Sequence, residues 1–310
     1  MNRLARRCGA VAAGLLLDRL AGEPPGEAHP VAWFGRLMER LEERFWADSR
    51  WRGIAYTAVG VAVGVLAGRL MRSVTTAVAF SAAGRELRRV AAGVGEAAGG
   101  GDLARARSEL PALVGRDPSN LDISGVAAAS IESVAENSVD AVIAPAFWAV
   151  VAGAPGAVAY RAINTMDAMV GHRNERYGRF GWAAARLDDL ANYVPARIFA
   201  ALVAAAVPER AREVLATVRR DAPAHPSPNA GIAEAAVAGA LGRELGGPLR
   251  YGPILENRPL LGIGPRPAPA DVRRAVDIAD RVERVLLAVL GLAWLLGAAR
   301  RASTAGRLTP

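Results

Sequence analysis

The stretch AYRAINTMDAMVGHRNERYGRFGWAAARLDDLANYVPAR, from Ala159 to Arg197, decides the fold of this chain. Its carboxylates, amides and guanidinium groups stand between two strongly apolar segments. Such side chains are costly beside lipid and persist mainly where they line a site, face water or pair with one another. Similar polar clusters occur in IESVAENSVDAVIAP, from Ile131 to Pro145, and in DAPAHPSPNAGIAEAAVAGALG, which begins at Asp221. Three polar clusters among apolar runs favour a membrane-embedded enzyme over a soluble one.

The composition supports a helical membrane protein. The chain has 310 residues, of which 52% are hydrophobic and only 5% aromatic, and its mean hydropathy is +0.18. Alanine and glycine supply much of the apolar content, which suits helices that pack closely through small residues. We therefore expect an all-α integral membrane bundle with about four to six spanning or re-entrant helices and polar helical loops. We expect a single domain over residues 1–310, with an amphipathic helical insertion at about 84–118.

The charged residues and cysteines exclude several classes of site. The net charge is +8, and all 38 basic residues are arginine. The absence of lysine excludes a Walker A nucleotide loop and a Schiff-base enzyme. Arginines scattered singly argue against a nucleic-acid partner and favour contact with membrane lipid. One cysteine and three widely spaced histidines argue against a transition-metal site, whereas the carboxylates are compatible with a site for a hard cation such as Mg²⁺.

Two apolar runs have the length of membrane spans, and a third is interrupted. The runs Gly53–Leu70 and Val282–Ala299 are long enough to span. The run Ala141–Tyr160 contains Pro145 and the sequence GAPG from Gly153, which predict two half-length helices instead of one straight span. The amino terminus resembles a signal peptide, but Asp18 interrupts its apolar run, so we expect a retained helix. Arginines flank every run, so the positive-inside rule gives no clear orientation.

The insertion at 84–118 has the pattern of two solvated helices. A loop is predicted at Gly99-Gly100-Gly101, and Asp102 is a favourable cap for the helix that follows. The apolar face of that helix is formed by Leu103, Ala106, Leu110 and Leu113.

An acidic stripe is predicted in the Ile131–Pro145 cluster. Glu132, Glu136 and Asp140 recur every four residues, which places them along one side of a helix. Like charges at this spacing repel, so we expect arginines, a divalent cation or an amine substrate to face them. A stripe that only faces water is the alternative.

The Ala159–Arg197 stretch offers the best candidate site. Asn164 and Asp167 share a helix face, Gly171 is expected to end that helix, and a polar loop follows. Asp188 and Asn192 are again four residues apart. The neighbouring carboxylates of Asp188 and Asp189 suit Mg²⁺, which takes one or two carboxylates together with water and phosphate oxygens. A buried Arg–Asp network that only holds helices together is the alternative.

The third cluster joins a proline-rich turn to an apolar helix. The turn HPSPN runs from His225 to Asn229, and Asn229 can cap the helix GIAEAAVAGALG. Glu234 is the only charge on that helix before Arg243. A lone carboxylate on an apolar helix should be paired or have a raised pKa. An exposed acid in the first turn is the alternative.

Four strings of the sequence resemble the CobD/CbiB family, the membrane-bound adenosylcobinamide-phosphate synthases of cobalamin biosynthesis. They occur in the family's order and extend from Asp18 to about Gly264: DRLAGEPPGEAHPVAWFG, ESVAENSVDAVIAPAFW, the YRAINTMDAM…VPAR stretch and HPSPNAGIAEAAVAGALGRELGGPLRYG. The chain departs from the family pattern at Ala141, at His172 and at Ile232-Ala233. None of these departures removes an acidic residue.

The resemblance implies an enzyme, specifically a ligase. It implies that the propionate carboxylate of adenosylcobyric acid is joined as an amide to (R)-1-aminopropan-2-ol or its O-phosphate, with ATP and Mg²⁺. The implied partners are the small-molecule corrinoid and aminopropanol. The resemblance is also compatible with a homo-oligomer or with an assembly that contains other membrane enzymes of the cobalamin pathway. The implied location is the cell (inner or plasma) membrane, crossed several times, with the active site facing the cytoplasm. A transporter or corrinoid-binding scaffold that uses the acidic clusters as a cation relay is the alternative.

Roles for individual residues follow as hypotheses from this resemblance. Mg²⁺ is assigned to Asp188 and Asp189 with Glu132 or Glu136, and Asp188 and Glu136 are also expected to be catalytic. Phosphate oxygens are assigned to Arg173, Arg176 and Arg186, because guanidinium groups bind them in a bidentate manner. Removal of the amine proton is assigned to Asp167 or Glu175. The remaining substrate-binding candidates are Asn164, Asn174, Asn192, His225, Asn229 and Glu234.

Overall fold

A computed structural model describes residues 2–22, 29–115, 117–172, 174–251 and 254–305. The described chain is almost entirely helical, with one two-stranded antiparallel hairpin in which Leu245 pairs with Leu261. The elements in chain order are α1 (Arg3–Ala21), α2 (Pro30–Phe45), α3 (Arg50–Met71), α4 (Val74–Ser81), α5 (Gly84–Gly99), α6 (Leu103–Glu109), α7 (Ile123–Ser138), α8 (Ala144–Ala152), α9 (Ala154–Val170), α10 (Trp182–Ala206), α11 (Ala211–Asp221), α12 (Ala230–Leu241), β1 (Leu245–Tyr251), β2 (Ile254–Leu261) and α13 (Pro269–Ala305).

The expected all-α membrane bundle is confirmed. Within the described ranges, three helical segments are long and apolar enough to cross a bilayer: Arg50–Met71, Ile123–Ala152 and Pro269–Arg300. A fourth span results if α10 and the segment Pro208–Ala224, which are bent by 107° relative to each other, are counted together. The described residues therefore contain three or four candidate spans, at or below the lower end of the expected range.

The chain forms two compact units, neither of which is continuous in sequence. Unit 1 comprises Met1–Ala83, Asp140–Asn192 and Leu287–Pro310, and unit 2 comprises Gly84–Val139 and Tyr193–Leu286. The single domain expected from the sequence stays a prediction. The insertion at 84–118 belongs to unit 2, where the Asp102 carboxylate accepts a hydrogen bond from the Arg105 backbone N–H at 2.9 Å, which confirms the predicted cap.

In unit 1, α3 and α9 pack backbone to backbone through glycines. Gly60, Gly64 and Gly68 recur every four residues on one side of α3 and face α9. A Cβ atom on Gly68 would lie 2.5 Å from Cα of Pro155, in the first turn of α9. This close approach confirms that small residues bring helices together here.

The helix that carries Asp140 continues through Pro145 and ends at Gly153. Gly153 has a φ of +73°, which breaks the chain between α8 and α9 as the sequence predicts. A break at Pro145 was also expected, and this part of the prediction is wrong. The helix passes Pro145 by way of a wide π-helical turn at Val139–Ile143. Because proline has no N–H, the Ala141 carbonyl loses its partner in the helix, and the Ala83 N–H donates to it at 3.0 Å.

A second internal proline in α10 is accommodated in the same way. Pro195 lies inside α10 and provides no N–H for the carbonyl of Ala191, four residues earlier. The indole Nε1–H of Trp148, on α8, donates to this carbonyl at 3.0 Å. Both prolines therefore leave a carbonyl that is satisfied from another element. We call the Ala141 and Ala191 oxygens the two proline-freed carbonyls.

The first helix is an integral part of unit 1. Val11 and Leu15 are fully buried. The Arg7 guanidinium donates from Nη1 to the carbonyls of Val150 and Val151, at 3.2 and 2.5 Å, and so satisfies the end of α8. A Cβ on Gly9 would lie 2.7 Å from Cδ1 of Trp294, so α1 also packs closely against α13.

Unit 2 has its own core, built partly from the predicted amphipathic insertion. Residues of α5, α6, α7 and the short 3-10 turn after α6 form one buried cluster, which includes Val94, Ala106, Leu110 and Val126, with Leu103 and Leu113 packed against it. The apolar face predicted for α6 is thus confirmed. Every residue of α12 from Ala230 to Leu241 is buried, which explains why its side chains are small and almost uniformly apolar.

Candidate functional site

One face of α9 carries polar side chains into unit 1. Tyr160, Asn164 and Asp167 follow one another at intervals of four and three residues, so they share a helix face. The Nδ2 of Asn164 donates to Oδ1 of Asp188, on α10, across a long 3.4 Å contact. The sequence prediction that Asn164 and Asp188 belong together therefore agrees with their positions.

Asn192 joins two carboxylates. Its Nδ2 group has two protons and donates to Oδ1 of Asp140 and to Oδ2 of Asp188, each at 3.0 Å. The Tyr160 hydroxyl lies 3.1 Å from Oδ1 of Asp140 and 2.9 Å from Oδ1 of Asn192. Asn192 and Tyr160 are almost fully buried. We call this set, all of it in unit 1, the Asp140–Asp188 cluster: Asp140, Tyr160, Asn164, Asp188 and Asn192.

Both proline-freed carbonyls lie next to residues of this cluster. Asp140 sits in the wide turn and precedes Ala141, whose carbonyl is held by the Ala83 N–H. Asn192 follows Ala191, whose carbonyl is held by Trp148. The backbone on each side of the Asp140–Asn192 hydrogen bond is thus fixed by a contact from outside its own helix. Wide turns of this kind are frequent at functional sites.

The acidic stripe does not form one continuous set. The carboxylate of Glu132 is buried in unit 2, where it accepts a hydrogen bond from the Gly246 backbone N–H at 2.8 Å. Glu136 is exposed. Asp140 lies beyond the start of the wide turn, which changes the angular spacing of the helix, and it belongs to the Asp140–Asp188 cluster of unit 1. The three acids therefore have three different surroundings.

Asp167 lies in the last turn of α9, a helix that is not among the candidate spans. Burial, followed by the nearby negative charges of Asp140 and Asp189, raises the pKa of Asp167 to about 6. A Cβ on Gly171 would overlap Oδ1 of Asp167. Glycine at the end of α9 therefore leaves space for this carboxylate.

The four acids assigned to Mg²⁺ have different surroundings, each within its own unit. Asp188 faces the cluster, whereas Asp189 faces Arg186, with 3.4 Å between Oδ2 and Nη1. Successive residues on a helix point about 100° apart, so these neighbours serve different surfaces. Glu132 and Glu136 belong to unit 2. Within the part of the chain that the structure describes, no group of three His, Cys, Asp or Glu residues is placed to hold a metal ion.

The loop after α9 provides surface contacts in unit 1. Arg176 pairs with Glu42, at 2.9 Å, and its guanidinium lies 4.8 Å from the ring centre of Trp46. The side-chain oxygen of Asn174 accepts from the Tyr177 backbone N–H at 2.8 Å. Glu175 is exposed. Arg173 lies outside the described residues, and the other two arginines assigned to phosphate, Arg176 and Arg186, already face carboxylates.

Unit 2 contains a second buried polar cluster. Glu234 is only 1% exposed, so the alternative of an exposed first-turn acid is wrong. One oxygen of Glu234 lies 3.8 Å from Nε2 of His225 and 3.9 Å from Nη1 of Arg258. Asn229 is also buried, but the oxygen that caps α12 belongs to Ser227, which accepts from the backbone N–H groups of Asn229 and Ala230.

Asp140, Tyr160 and Trp148 belong to the site region, although none of them was among the predicted catalytic, substrate-binding or metal-binding residues. The spacing of Tyr160, Asn164 and Asp167 could have identified the tyrosine, because all three share one face of α9. No local signal identifies Trp148, since its partner carbonyl is freed by a proline on another helix. Asp140 was recognised as an acid of the stripe, but the wide turn that separates it from Glu136 leaves no clear trace in the sequence.

Comparison with known proteins agrees with the resemblance. A family profile described as "CobD/Cbib protein" matches residues 11–279. A protein of Mycobacterium tuberculosis named "Cobalamin biosynthesis protein CobD" is 45% identical over 299 residues, which cover 92% of this chain and 95% of that protein. Proteins of the same name from Rhodobacter capsulatus and Stutzerimonas stutzeri are 43% and 45% identical, covering 86% and 91% of this chain and 90% and 96% of their own lengths. No solved structure matches the chain. The chain therefore belongs to the CobD/CbiB family, whose named relatives are cobalamin biosynthesis proteins.

Proposed function

We propose that this protein is an adenosylcobinamide(-phosphate) synthase of the plasma membrane. It joins the propionate carboxylate of adenosylcobyric acid to the amino group of (R)-1-aminopropan-2-ol or its O-phosphate. Family membership supports the reaction class. The observation that supports the location of the site is the convergence of two carboxylates, from Asp140 and Asp188, on the single amide group of Asn192 in unit 1.

The reaction forms a C–N bond and releases the elements of water. A carboxylate and an ammonium ion do not condense in water, because the carboxylate is a poor electrophile and the ammonium has no free electron pair. ATP, when bound, would supply the phosphoryl group that converts the carboxylate oxygen into a leaving group. The chain contains no Walker A lysine, so we assign no residue to the nucleotide and derive no step through it.

The amine substrate is the partner that the Asp140–Asp188 cluster suits best. Its ammonium form carries a positive charge, and two adjacent carboxylates in partly buried surroundings attract such a charge more strongly than they would in water. Asn164 and Asn192 hold the Asp188 carboxylate in place. Exclusion of water by the buried Tyr160 protects an activated carboxylate from hydrolysis.

Asp167 is the proposed general base. The ammonium must lose a proton before its nitrogen can attack, and the most effective base has a pKa near the working pH. Burial and neighbouring negative charge raise the pKa of Asp167 to about 6, which brings it closer to neutrality than an ordinary carboxylate. The other candidate base, Glu175, is exposed and has no comparable environment.

We propose Mg²⁺ at Asp188 with fewer protein ligands than the four acids expected from the sequence. The Asp189 carboxylate lies near Arg186, and Glu132 accepts a hydrogen bond from the Gly246 N–H, which favours the smaller set. One or two carboxylates with phosphate oxygens and water remain sufficient for Mg²⁺, and this smaller requirement stays a proposal.

The experiment that tests the proposed site compares the wild type with four variants, all purified in detergent. Cobinamide formation from adenosylcobyric acid and either amine should fall about a hundredfold or more in Asp140→Asn and in Asp188→Asn, since general acid–base and positioning groups contribute on this scale. Asp48→Asn, on an exposed acid of unit 1, should retain the wild-type rate. Glu136→Gln tests whether the exposed acid of unit 2 has any role.

Each outcome has a defined meaning. If the wild-type protein forms no product with ATP and Mg²⁺ supplied, but reconstituted vesicles accumulate corrinoid, the protein is a transporter and the proposed function is wrong. If product forms and both cluster variants retain the wild-type rate, the reaction stands but the assignment of the site to unit 1 is wrong. Omission of ATP and chelation of Mg²⁺ in the same assay test the two cofactors separately.

A further inference from the structure

The residue before α2 is a buried histidine in unit 1. His29 is only 7% exposed. Its Nδ1 accepts a hydrogen bond from the Val31 backbone N–H at 3.1 Å and so caps the helix. A ring nitrogen that accepts cannot carry the proton of the neutral imidazole, so Nε2 carries it and is a donor. Among the residues that the structure describes, no acceptor lies within hydrogen-bond distance of this Nε2.

Arg161 on α9 provides a second donor without an acceptor. Its Nη1 makes a long contact of 3.4 Å with the side-chain oxygen of Asn164. Its Nε is buried, and no acceptor within the described ranges reaches it. Burial, followed by the positive charge of Arg161, lowers the pKa of His29, so both favour the neutral imidazole. Buried donors that lack a partner are rare in proteins and call for an explanation.

Arg161 lines an apolar cavity of unit 1, and His29 adjoins residues of its wall. The cavity has a volume of about 400 Å³, and Arg161 is the one charged residue in its described lining. Pro30 and Val31, which follow His29 in the chain, contribute to its wall, as does Phe80, whose ring lies edge-on to the imidazole. Apolar walls screen charge poorly, so the attraction between Arg161 and an anion is stronger here than at an open surface.

We propose that His29 and Arg161 form a binding site for a phosphate ester. The donors come from two separate elements, the start of α2 and the middle of α9, and a tetrahedral phosphate presents oxygens in enough directions to reach both. Arginine is well suited to phosphate oxygens. The site also lies at the amino terminus of α2, a 16-residue helix, and the positive end of a helix dipole favours an anion.

Two kinds of ligand contain such a phosphate ester, namely a phospholipid with its headgroup and a small phosphorylated substrate. The apolar cavity would take an acyl chain of the lipid. The phosphorylated amine, as a ligand, rests on the function proposed above. The Arg161 guanidinium lies beside Asn164, with 3.4 Å between Nη1 and Oδ1, so a phosphate held by Arg161 would place the nitrogen of the short aminopropanol chain near the Asp140–Asp188 cluster. In that arrangement His29 and Arg161 are specificity residues that recognise the phosphate, and the Asp140–Asp188 cluster holds the amine.

Binding is measured directly by titration calorimetry on the detergent-solubilised protein, so the result does not depend on turnover. The phosphate probes are aminopropanol phosphate, dioctanoyl phosphatidic acid and inorganic phosphate. The matched probes without phosphate are aminopropanol, dioctanoylglycerol and propionate. His29→Ser is informative because serine is a good helix cap and retains an acceptor, while its short side chain does not reach the position of the Nε2 donor. Arg161→Gln removes the charge, and Arg212→Gln, on an exposed arginine, is the control.

We expect at least one phosphate probe to bind, and both site variants to weaken this binding about ten- to a hundredfold, as for the loss of a hydrogen bond to a charged group. Arg212→Gln should bind like the wild type. Tighter binding of aminopropanol phosphate assigns the site to substrate, and tighter binding of phosphatidic acid assigns it to lipid. The proposal is overturned if no phosphate probe binds the wild type, if propionate binds as tightly, or if folded variants bind unchanged. Loss of synthase activity with phosphate binding intact would count against the proposed function instead.

Discussion

Replacing Trp148 with phenylalanine tests whether the proline-freed carbonyl of Ala191 is held from α8. The substitution keeps an aromatic ring of similar shape but removes the indole N–H, which donates to this carbonyl at 3.0 Å. Pro195 cannot supply a replacement because it has no N–H. In an ordinary helix the residue four positions later would satisfy the carbonyl, and the substitution would then cost little.

The expected loss in the free energy of unfolding follows from the Ala191 carbonyl, which the substitution leaves without a hydrogen-bond partner. Hydrogen bonds between helices in membranes contribute on average only about 0.6 kcal/mol. Here the loss leaves a buried acceptor without a partner, since Ala191 is 4% exposed, and an unsatisfied buried group costs about 1–3 kcal/mol. We therefore expect Trp148→Phe to lower the free energy of unfolding by about 1–3 kcal/mol. The synthase rate should fall as well, because Asn192 follows the carbonyl directly.

The assay is denaturation in mixed micelles, followed by the ellipticity of the helices. Trp51→Phe is the control, because Trp51 is 80% exposed and also lies on a candidate span. The decisive protein is the double variant Trp148→Phe with Pro195→Ala, in which residue 195 regains an N–H four residues after Ala191. The alanine should recover most of the lost stability. If Trp148→Phe costs no more than Trp51→Phe, or if Pro195→Ala gives no recovery beyond its effect in the wild type, the reasoning about the freed carbonyl is refuted.

Three further predictions concern unit 1. Gly68→Ala should destabilise the protein by about 1–3 kcal/mol, as overpacking does, because the added Cβ would lie 2.5 Å from Cα of Pro155. The control is Gly291→Ala in α13, which should be neutral because no atom lies within 4 Å of the added Cβ. Equal thermal stabilities of the two variants would contradict the close contact between α3 and α9. The synthase rate should decline as the pH falls through about 6, since the carboxylate of Asp167 then takes up a proton; a profile that keeps this inflection in Asp167→Asn would assign the titration to another group. Gly171→Ala should reduce the rate with little change in amine binding, because the methyl group displaces Oδ1 of Asp167, and an unchanged turnover number would argue against Asp167 as the base.

The fold was predictable where it depends on local pattern. The apolar period of α6 and the position of Asp102 identify a capped amphipathic helix, and both agree with the structure. Gly153 likewise ends a helix because only glycine adopts its positive φ without strain. The effect of Pro145 was not predictable, because the donor that satisfies the freed carbonyl comes from Ala83, far away in the sequence. Whether a proline breaks a helix depends on whether a neighbouring element supplies that donor.

The candidate site was predictable to a similar extent. Asp188 and Asn192 were identified together because they are four residues apart on one helix, and a hydrogen bond does join them. The residues that the arginines contact were less predictable, because a long flexible side chain pairs with whichever acid lies nearest in space. For Arg176 that acid is Glu42, which precedes it by 134 residues. Spacing along the chain carries no information about such a contact.

The discontinuity of unit 1 has a consequence for how the protein is made. Its first segment ends at Ala83, yet its second begins at Asp140 and its third at Leu287. The guanidinium of Arg7 meets its acceptors on Val150 and Val151 only after more than 140 further residues have been synthesised. The contacts of α1 with α8 and with Trp294 of α13 therefore form only after the long intervening parts of the chain have been made.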